Sequence, residues 1–198
     1  MEKLFAATGY LTFLLAAFGY RTIVAAGHGD SGWRRPVSRI DAVGETTCAV
    51  GCLLSFLGPV LSAVGAVPEA DLGYSGVRLA AGALLLVSGA IVSLSAQAEM
   101  GSNWRAGVEA SPSLVVTGLF RWIRNPFYLG CILAAFGAAV AAPTIVGLLG
   151  VGAHLAAALV IVLYVEEPML EEAHGRSYVA YRQRSGRFLP RMLPRRPA

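Results

Sequence analysis

Residues 118–130 read Gly118-Leu119-Phe120-Arg121-Trp122-Ile123-Arg124-Asn125-Pro126-Phe127-Tyr128-Leu129-Gly130, and they lead into an apolar run that ends at Glu166-Glu167. Charged residues are scarce elsewhere in the middle of the chain. Because proline is favourable in the first turn of a helix, this stretch predicts a helix that begins at Pro126. Pro143 interrupts the apolar run. We therefore predict a helical hairpin with spans at about 126–142 and 144–165.

Composition extends this prediction to the whole chain. Of 198 residues, 56% are hydrophobic and 14% are charged, and the mean hydropathy is +0.61. Several apolar runs approach the length that crosses a bilayer, and glycines lie within them, as expected where membrane helices approach closely. We predict an all-α polytopic bundle in one membrane domain, 1–198, divided into three N-terminal spans (1–98) and a C-terminal part (99–198). The expected spans are 4–26, 43–67, 77–96, 126–142 and 144–165.

The positive charge indicates orientation. The formal net charge is +4, but the arginines lie in short segments beside apolar spans, which argues against nucleic-acid binding. The segment 28–41 carries Arg34, Arg35 and Arg39, and the tail from Glu166 holds seven arginines. The positive-inside rule then places the N-terminus outside and the C-terminus in the cytoplasm, which five spans require.

The three cysteines, Cys48, Cys52 and Cys131, all fall within predicted spans. Cys48 and Cys52 are four residues apart and share a helix face. A disulfide scaffold is not indicated, and two thiols without a histidine nearby in the sequence do not predict a metal site. His154 is expected to be a buried neutral imidazole. A Cys-x-x-Cys zinc pattern, a histidine-rich span, a P-loop and a Gly-x-Ser-x-Gly elbow are absent from the sequence.

Three polar groups are candidates for chemistry. The first group is the cation, amide and phenol of Arg124, Asn125 and Tyr128, which surround the helix start at Pro126. The N-terminus of a helix stabilises an anionic group. Such residues also serve as anchors at the membrane interface. Glu166 and Glu167 lie at a bilayer edge, where carboxylates are either functional or solvated and paired with arginines. Tyr178 and Tyr181 lie three apart on one helix face beside Arg182. This tail helix either folds over a site or lies on lipid headgroups.

Several motifs occur together in order. They are Met100 to Arg105, Leu114 to Phe120 leading into Arg124 to Tyr128, Glu166-Glu167 with Leu170, His174 to Tyr181, and Arg187-Phe188-Leu189-Pro190. With them the chain resembles the isoprenylcysteine carboxyl methyltransferase and phospholipid methyltransferase group of membrane enzymes over about 97–190. The first two or three spans show nothing specific to that group.

The resemblance implies that S-adenosylmethionine binds at the cytoplasmic side, enclosed by the hairpin and the tail. Glu166 or Glu167 would receive its ammonium group, and Arg124, Asn125 or backbone N–H groups would receive its carboxylate. The group usually has histidine where this chain has Asn125, which puts a proton-transfer role there in doubt. The implied cofactor-binding residues are Gln97, Gly118, Leu119, Arg124, Asn125, Pro126, Tyr128, Glu166, Glu167, Tyr178 and Tyr181.

The expected reaction is methyl transfer to a lipophilic acceptor from the bilayer, either an isoprenylcysteine-type carboxylate or a lipid headgroup. Glu167 is the candidate proton acceptor, and Arg182 or Arg176 would hold an acceptor carboxylate. Two alternatives stay open. One is an NADPH-dependent membrane reductase of the sterol or steroid type, which shares the hairpin motif but has a longer bundle. The other is a non-catalytic membrane protein whose charges only fix its topology.

Overall fold

The computed structural model describes residues 1–26, 36–101 and 113–191, and most of this part of the chain is helical. Arg34, Arg35, Arg105 and the last residues of the basic tail lie outside these ranges. The helices are α1 Glu2–Ala26, α2 Arg39–Ala63, α3 Ser75–Met100, α4 Pro126–Ala141, α5 Ile145–Ile161, α6 Glu167–His174 and α7 Arg176–Arg184, with a 3₁₀ turn at Gly118–Arg121 and a π turn at Val162–Glu166.

Four of the described helical segments are long and apolar enough to cross a membrane. They are Glu2–Ile23, Arg39–Ala63, Ser75–Met100 and Ile145–His174, and the shorter apolar helix Pro126–Ala141 joins them. The predicted helical membrane bundle is therefore confirmed. The fifth predicted span runs on through the π turn into α6.

Capping residues explain where the helices begin. Ser38 precedes α2, and its hydroxyl accepts a hydrogen bond from the Asp41 N–H at 3.1 Å, while the Asp41 carboxylate accepts one from the Val37 N–H at 2.9 Å. This reciprocal cap starts α2 four residues before the predicted boundary at 43. The Thr144 hydroxyl caps α5 by accepting from the Gly147 N–H at 3.0 Å.

The interior of the bundle is made of small side chains. Buried residues of α4 are mostly glycine and alanine, whereas large apolar side chains such as Leu15, Leu84 and Ile91 are exposed. This inverted distribution is typical of helices that present leucine and isoleucine to lipid and pack on one another through small residues. Larger buried side chains in the same core are Tyr10 and Phe13 of α1 and Leu86 of α3.

Close helix approach is clearest between α3 and α4. A Cβ on Gly89 would lie 2.5 Å from the Gly130 carbonyl oxygen, and one on Gly82 would lie 2.6 Å from the Gly137 carbonyl oxygen. Likewise, a Cβ on Gly150 of α5 would lie 2.5 Å from the Ser55 hydroxyl of α2. These three glycines therefore pack within the chain.

The π turn between α5 and α6 follows from Pro168. A proline has no N–H to donate to the carbonyl four residues earlier, and its ring clashes with that carbonyl, so the regular hydrogen-bond pattern is interrupted at Tyr164. The chain widens by one residue at Val162–Glu166 instead. Glu166 ends the π turn and Glu167 begins α6, and adjacent helical residues point in different directions.

Candidate functional site

The C-terminal segment is joined to the start of α4 by backbone hydrogen bonds. Ile123 and Gly186 form an isolated parallel bridge. The Arg124 N–H donates to the Gly186 carbonyl at 2.8 Å, and the Asn125 N–H donates to the Arg187 carbonyl at 3.1 Å. The Asn125 side-chain amide also donates to the Arg187 carbonyl, at 3.1 Å. The tail therefore folds back onto the hairpin, which is one of the two arrangements that the sequence left open for it.

A buried ion network fixes this junction. One oxygen of the Glu167 carboxylate lies 3.0 Å from an Arg124 guanidinium nitrogen, and the other lies 2.8 Å from an Arg187 nitrogen. Arg124 also donates to the Ser185 carbonyl at 2.5 Å. The hydrogen bond to Glu167 raises the pKa of Arg187. Both Glu167 oxygens are therefore engaged by arginines that tie α6, α4 and the tail together.

Glu99 anchors the turn that precedes α4. Its carboxylate accepts a hydrogen bond from the Leu119 N–H at 2.8 Å. Gly118 has a φ of 53°, and a Cβ there would overlap the Glu99 carboxylate. Glycine is thus required at 118 for its backbone conformation and for the close carboxylate.

A cavity of about 700 Å³ begins beside this junction and runs into the bundle. Its polar end is lined by Arg124, Asn125, Tyr128, Glu166, Tyr178 and Tyr181. Its inner end is lined by residues of α1, α2, α4 and α5, among them Phe13, Cys52, Cys131 and His154. The cavity is large enough for a drug-sized ligand, and it combines a few polar groups with a mainly apolar wall.

Glu166 faces this cavity, unlike its neighbour. Its carboxylate accepts a hydrogen bond from the Tyr128 hydroxyl at 2.7 Å. Because the carboxylate lies at the polar end of the cavity, it offers a recognition site for a cationic group.

Two tyrosines of α7 form the wall opposite α4. The rings of Tyr178 and Tyr181 meet edge to face with centroids 6.2 Å apart. The Tyr181 hydroxyl donates to the Phe120 carbonyl at 2.7 Å. Burial raises the pKa of Tyr178 to about 12 and also raises that of Tyr181, so both phenols are neutral near pH 7. They offer aromatic faces and no charge.

The structure brings together most of the predicted site residues and separates others. Seven of them line the cavity: Arg124, Asn125, Pro126, Tyr128, Glu166, Tyr178 and Tyr181. The other four do not line the cavity: Gln97, Gly118, Leu119 and Glu167. Gln97 is fully buried, and its side-chain amide has no hydrogen-bond partner among the described residues.

The two predicted acceptor-binding arginines also lie outside the large cavity. Arg182 pairs with Glu171 at 2.7 Å in a half-exposed position, and it lines a second cavity of about 410 Å³ together with Glu167. Arg176 is exposed.

Sequence reasoning missed the roles of Glu99 and Arg187. For Glu99 the sequence offered only its position, because it is an acidic residue near the C-terminal end of an apolar span. Arg187 was part of the last motif, but the motif does not indicate which carboxylate the guanidinium pairs with.

Comparison with known proteins gives one finding. A search of curated proteins returned no match, whereas the family model "Phospholipid methyltransferase" matches residues 77–177. The match begins before Gln97, where the motifs alone placed the start of the resemblance, and so includes almost all of α3. Since it covers just over half of the chain, this integral membrane protein belongs to the phospholipid methyltransferase family, a family of membrane methyltransferases.

Proposed function

We propose that the chain transfers a methyl group from S-adenosylmethionine to a lipophilic acceptor that reaches the cavity from the bilayer. The observation that carries the proposal is the cavity itself, which joins a polar end containing Glu166 and Arg124 to an inner end with a mainly apolar wall. Such a cavity suits a charged, polar methyl donor at one end and an apolar acceptor at the other.

The residues at the polar end fit the donor's three polar groups. The Glu166 carboxylate would receive the ammonium group. Arg124, the Asn125 amide and the N-terminus of α4 would receive the carboxylate. The faces of Tyr178 and Tyr181 would contact the adenine or the sulfonium. When bound, the donor supplies an activated methyl group attached to a positively charged sulfur.

Glu167 has a different part in this proposal from its neighbour. Its two oxygens bind Arg124 and Arg187, so it acts as a positioning residue that holds the Arg124 guanidinium in place. We assign no contact with the acceptor to Arg182 or Arg176, because neither lines the cavity. Catalysis would then rest on alignment of the acceptor and exclusion of water.

The proposal also includes an orientation. The methyl donor is a cytoplasmic metabolite, so the polar end of the cavity and the C-terminus would face the cytoplasm and the N-terminus the outside. The arginines of the tail agree with this orientation. A reporter fused after Ala198 is expected in the cytoplasm, and an external reporter would contradict the proposal.

The direct test is calorimetric titration of the detergent-purified full chain with S-adenosylmethionine, S-adenosylhomocysteine and NADPH. We expect micromolar binding of the first two and none of NADPH. Binding of NADPH alone would favour the reductase alternative. A folded chain that binds none of the three would favour the non-catalytic alternative.

Glu166→Gln sharpens the test. Removal of the charge should weaken donor binding by about 1.5–3 kcal/mol, the usual contribution of a hydrogen bond to a charged group. Glu172→Gln is the matched control, because Glu172 is exposed and does not line the large cavity. Equal donor affinities in the two variants would remove Glu166 from the proposed site.

A further inference from the structure

Three side chains that bind soft metal ions converge at the inner end of the cavity. They are the thiols of Cys48 and Cys52 on α2 and the imidazole of His154 on α5, and their ligand atoms all lie within 4.8 Å of one another. The Cys52 sulfur is 3.6 Å from His154 Nε2. All three residues line the cavity. No histidine lies near the two cysteines in the sequence, but the packing of α5 against α2 brings His154 next to them.

The hydrogen bonds of His154 leave one ring nitrogen ready to act as a ligand. Nδ1 lies 3.0 Å from the Gly150 carbonyl oxygen, and a carbonyl only accepts, so the proton belongs on Nδ1. Nε2 then carries the lone pair, and it faces the Cys52 sulfur and the Tyr10 hydroxyl at 3.2 Å. Metal-bound histidines are commonly oriented in this way, by a hydrogen bond from the other ring nitrogen to a backbone carbonyl.

The backbone around the cluster is shaped to admit the imidazole. Gly51 lies between the two cysteines, and a Cβ there would be 2.6 Å from His154 Nδ1. Any larger residue at 51 would push the ring away from the thiols. The arrangement is therefore held by the same close approach of α2 and α5 that involves Gly150 and Ser55.

We propose that Cys48, Cys52 and His154 bind a divalent metal ion of the Zn²⁺ class, with the fourth coordination position facing the cavity. On binding, each thiol loses its proton to solvent and forms a sulfur–metal bond, so two protons leave. Two thiolates and a neutral imidazole cancel the charge of the ion, which suits a site within the bundle. Thiolate and imidazole ligands favour zinc over magnesium or calcium. Three protein ligands with an open position take a water or the heteroatom of a molecule in the cavity.

The test uses the tag-free full chain in detergent, stripped of metal with a chelator and then titrated with Co²⁺ as a spectroscopic probe. We expect one equivalent to bind, with the absorption of a thiolate–cobalt bond, and Zn²⁺ to displace it. Cys48→Ser, Cys52→Ser and His154→Ala should each lower the affinity at least tenfold. Cys131→Ser is the control, because Cys131 also lines the cavity but lies outside the cluster, and it should bind like the unaltered chain. No methyl donor is present, so the result is independent of the proposed function.

Tyr10→Phe separates a metal site from a cluster that is only hydrogen-bonded. The Tyr10 hydroxyl competes with the metal for the Nε2 lone pair of His154. Removal of the hydroxyl should therefore leave Co²⁺ affinity unchanged or raise it, while the ligand variants lose binding. The proposal is overturned if the folded chain binds no Co²⁺ through sulfur. Binding that survives all three ligand substitutions, or that is lost equally in Cys131→Ser, would overturn it as well.

Discussion

The two ends of the cavity are built in different ways. At the polar end, segments about 40 to 60 residues apart are joined by ion pairs and hydrogen bonds, as between the Arg124 guanidinium and the Glu167 carboxylate or the Ser185 carbonyl. At the inner end, Cys52 and His154 meet because α2 and α5 approach through glycine and serine. Charged groups hold the polar end together, and close helix packing holds the inner end together.

The family match covers part of each end. Arg124 and Glu166 of the polar end and His154 of the inner end lie within residues 77–177, whereas Cys48 and Cys52 precede that range. Because different contacts hold the two ends, we expect variants at one end to leave ligand binding at the other end largely intact.

The largest expected effect is at the polar end. Glu167→Ala leaves the buried Arg124 guanidinium without its carboxylate, and breaking a buried pair by removal of one partner costs about 3–5 kcal/mol in free energy of unfolding. The measurement is equilibrium unfolding of the full chain in detergent, with donor affinity as a second readout.

The chain provides its own control for that variant. Glu171→Ala removes another arginine–glutamate pair of α6 and α7, but the side chains of Glu171 and Arg182 are 42% and 39% exposed. Exposed pairs contribute only about 0–1 kcal/mol. If Glu167→Ala and Glu171→Ala were equally stable, the buried network would not be what holds the tail to the hairpin.

A smaller effect is expected at the inner end. Gly51→Ala places a methyl group against the His154 ring and should lower the free energy of unfolding by about 1–3 kcal/mol, as overpacking does. It should also weaken Co²⁺ binding and leave S-adenosylmethionine affinity unchanged. Both affinities are measured by titration of the same preparation.

Gly152→Ala is the matched control for Gly51→Ala. Gly152 lies on α5, and a Cβ there would meet nothing within 4 Å. An alanine at that position should be neutral or stabilise the helix by up to about 1 kcal/mol. Loss of donor binding in Gly51→Ala, with metal binding retained, would contradict the separation of the two ends.

The sequence predicted the helices and one end of the cavity, because these depend on local patterns. Pro126 and Pro143 marked the hairpin, and the ordered motifs collected the cavity-lining residues from Arg124 to Tyr181. It did not separate the roles of Glu166 and Glu167: adjacent helical residues point in different directions, but the sequence does not show which of the two faces the cavity. It also did not connect His154 with Cys48 and Cys52. His154 and Cys52 are 102 residues apart in the sequence, and their contact depends on how the helices pack.

The smallest expected effect concerns Tyr181, whose ring lines the cavity and whose hydroxyl binds the Phe120 carbonyl. Tyr181→Phe keeps the ring and removes one hydrogen bond, so the free energy of unfolding should fall by about 0.5–1.5 kcal/mol. Donor affinity should stay the same, because the aromatic face is what we propose the donor contacts. Tyr164→Phe, at a 64% exposed position on the π turn, should change neither quantity. If Tyr181→Phe instead weakened donor binding without loss of stability, the hydroxyl would belong to the donor site, and the polar end would recognise its ligand through the phenol as well as through charge and aromatic surface.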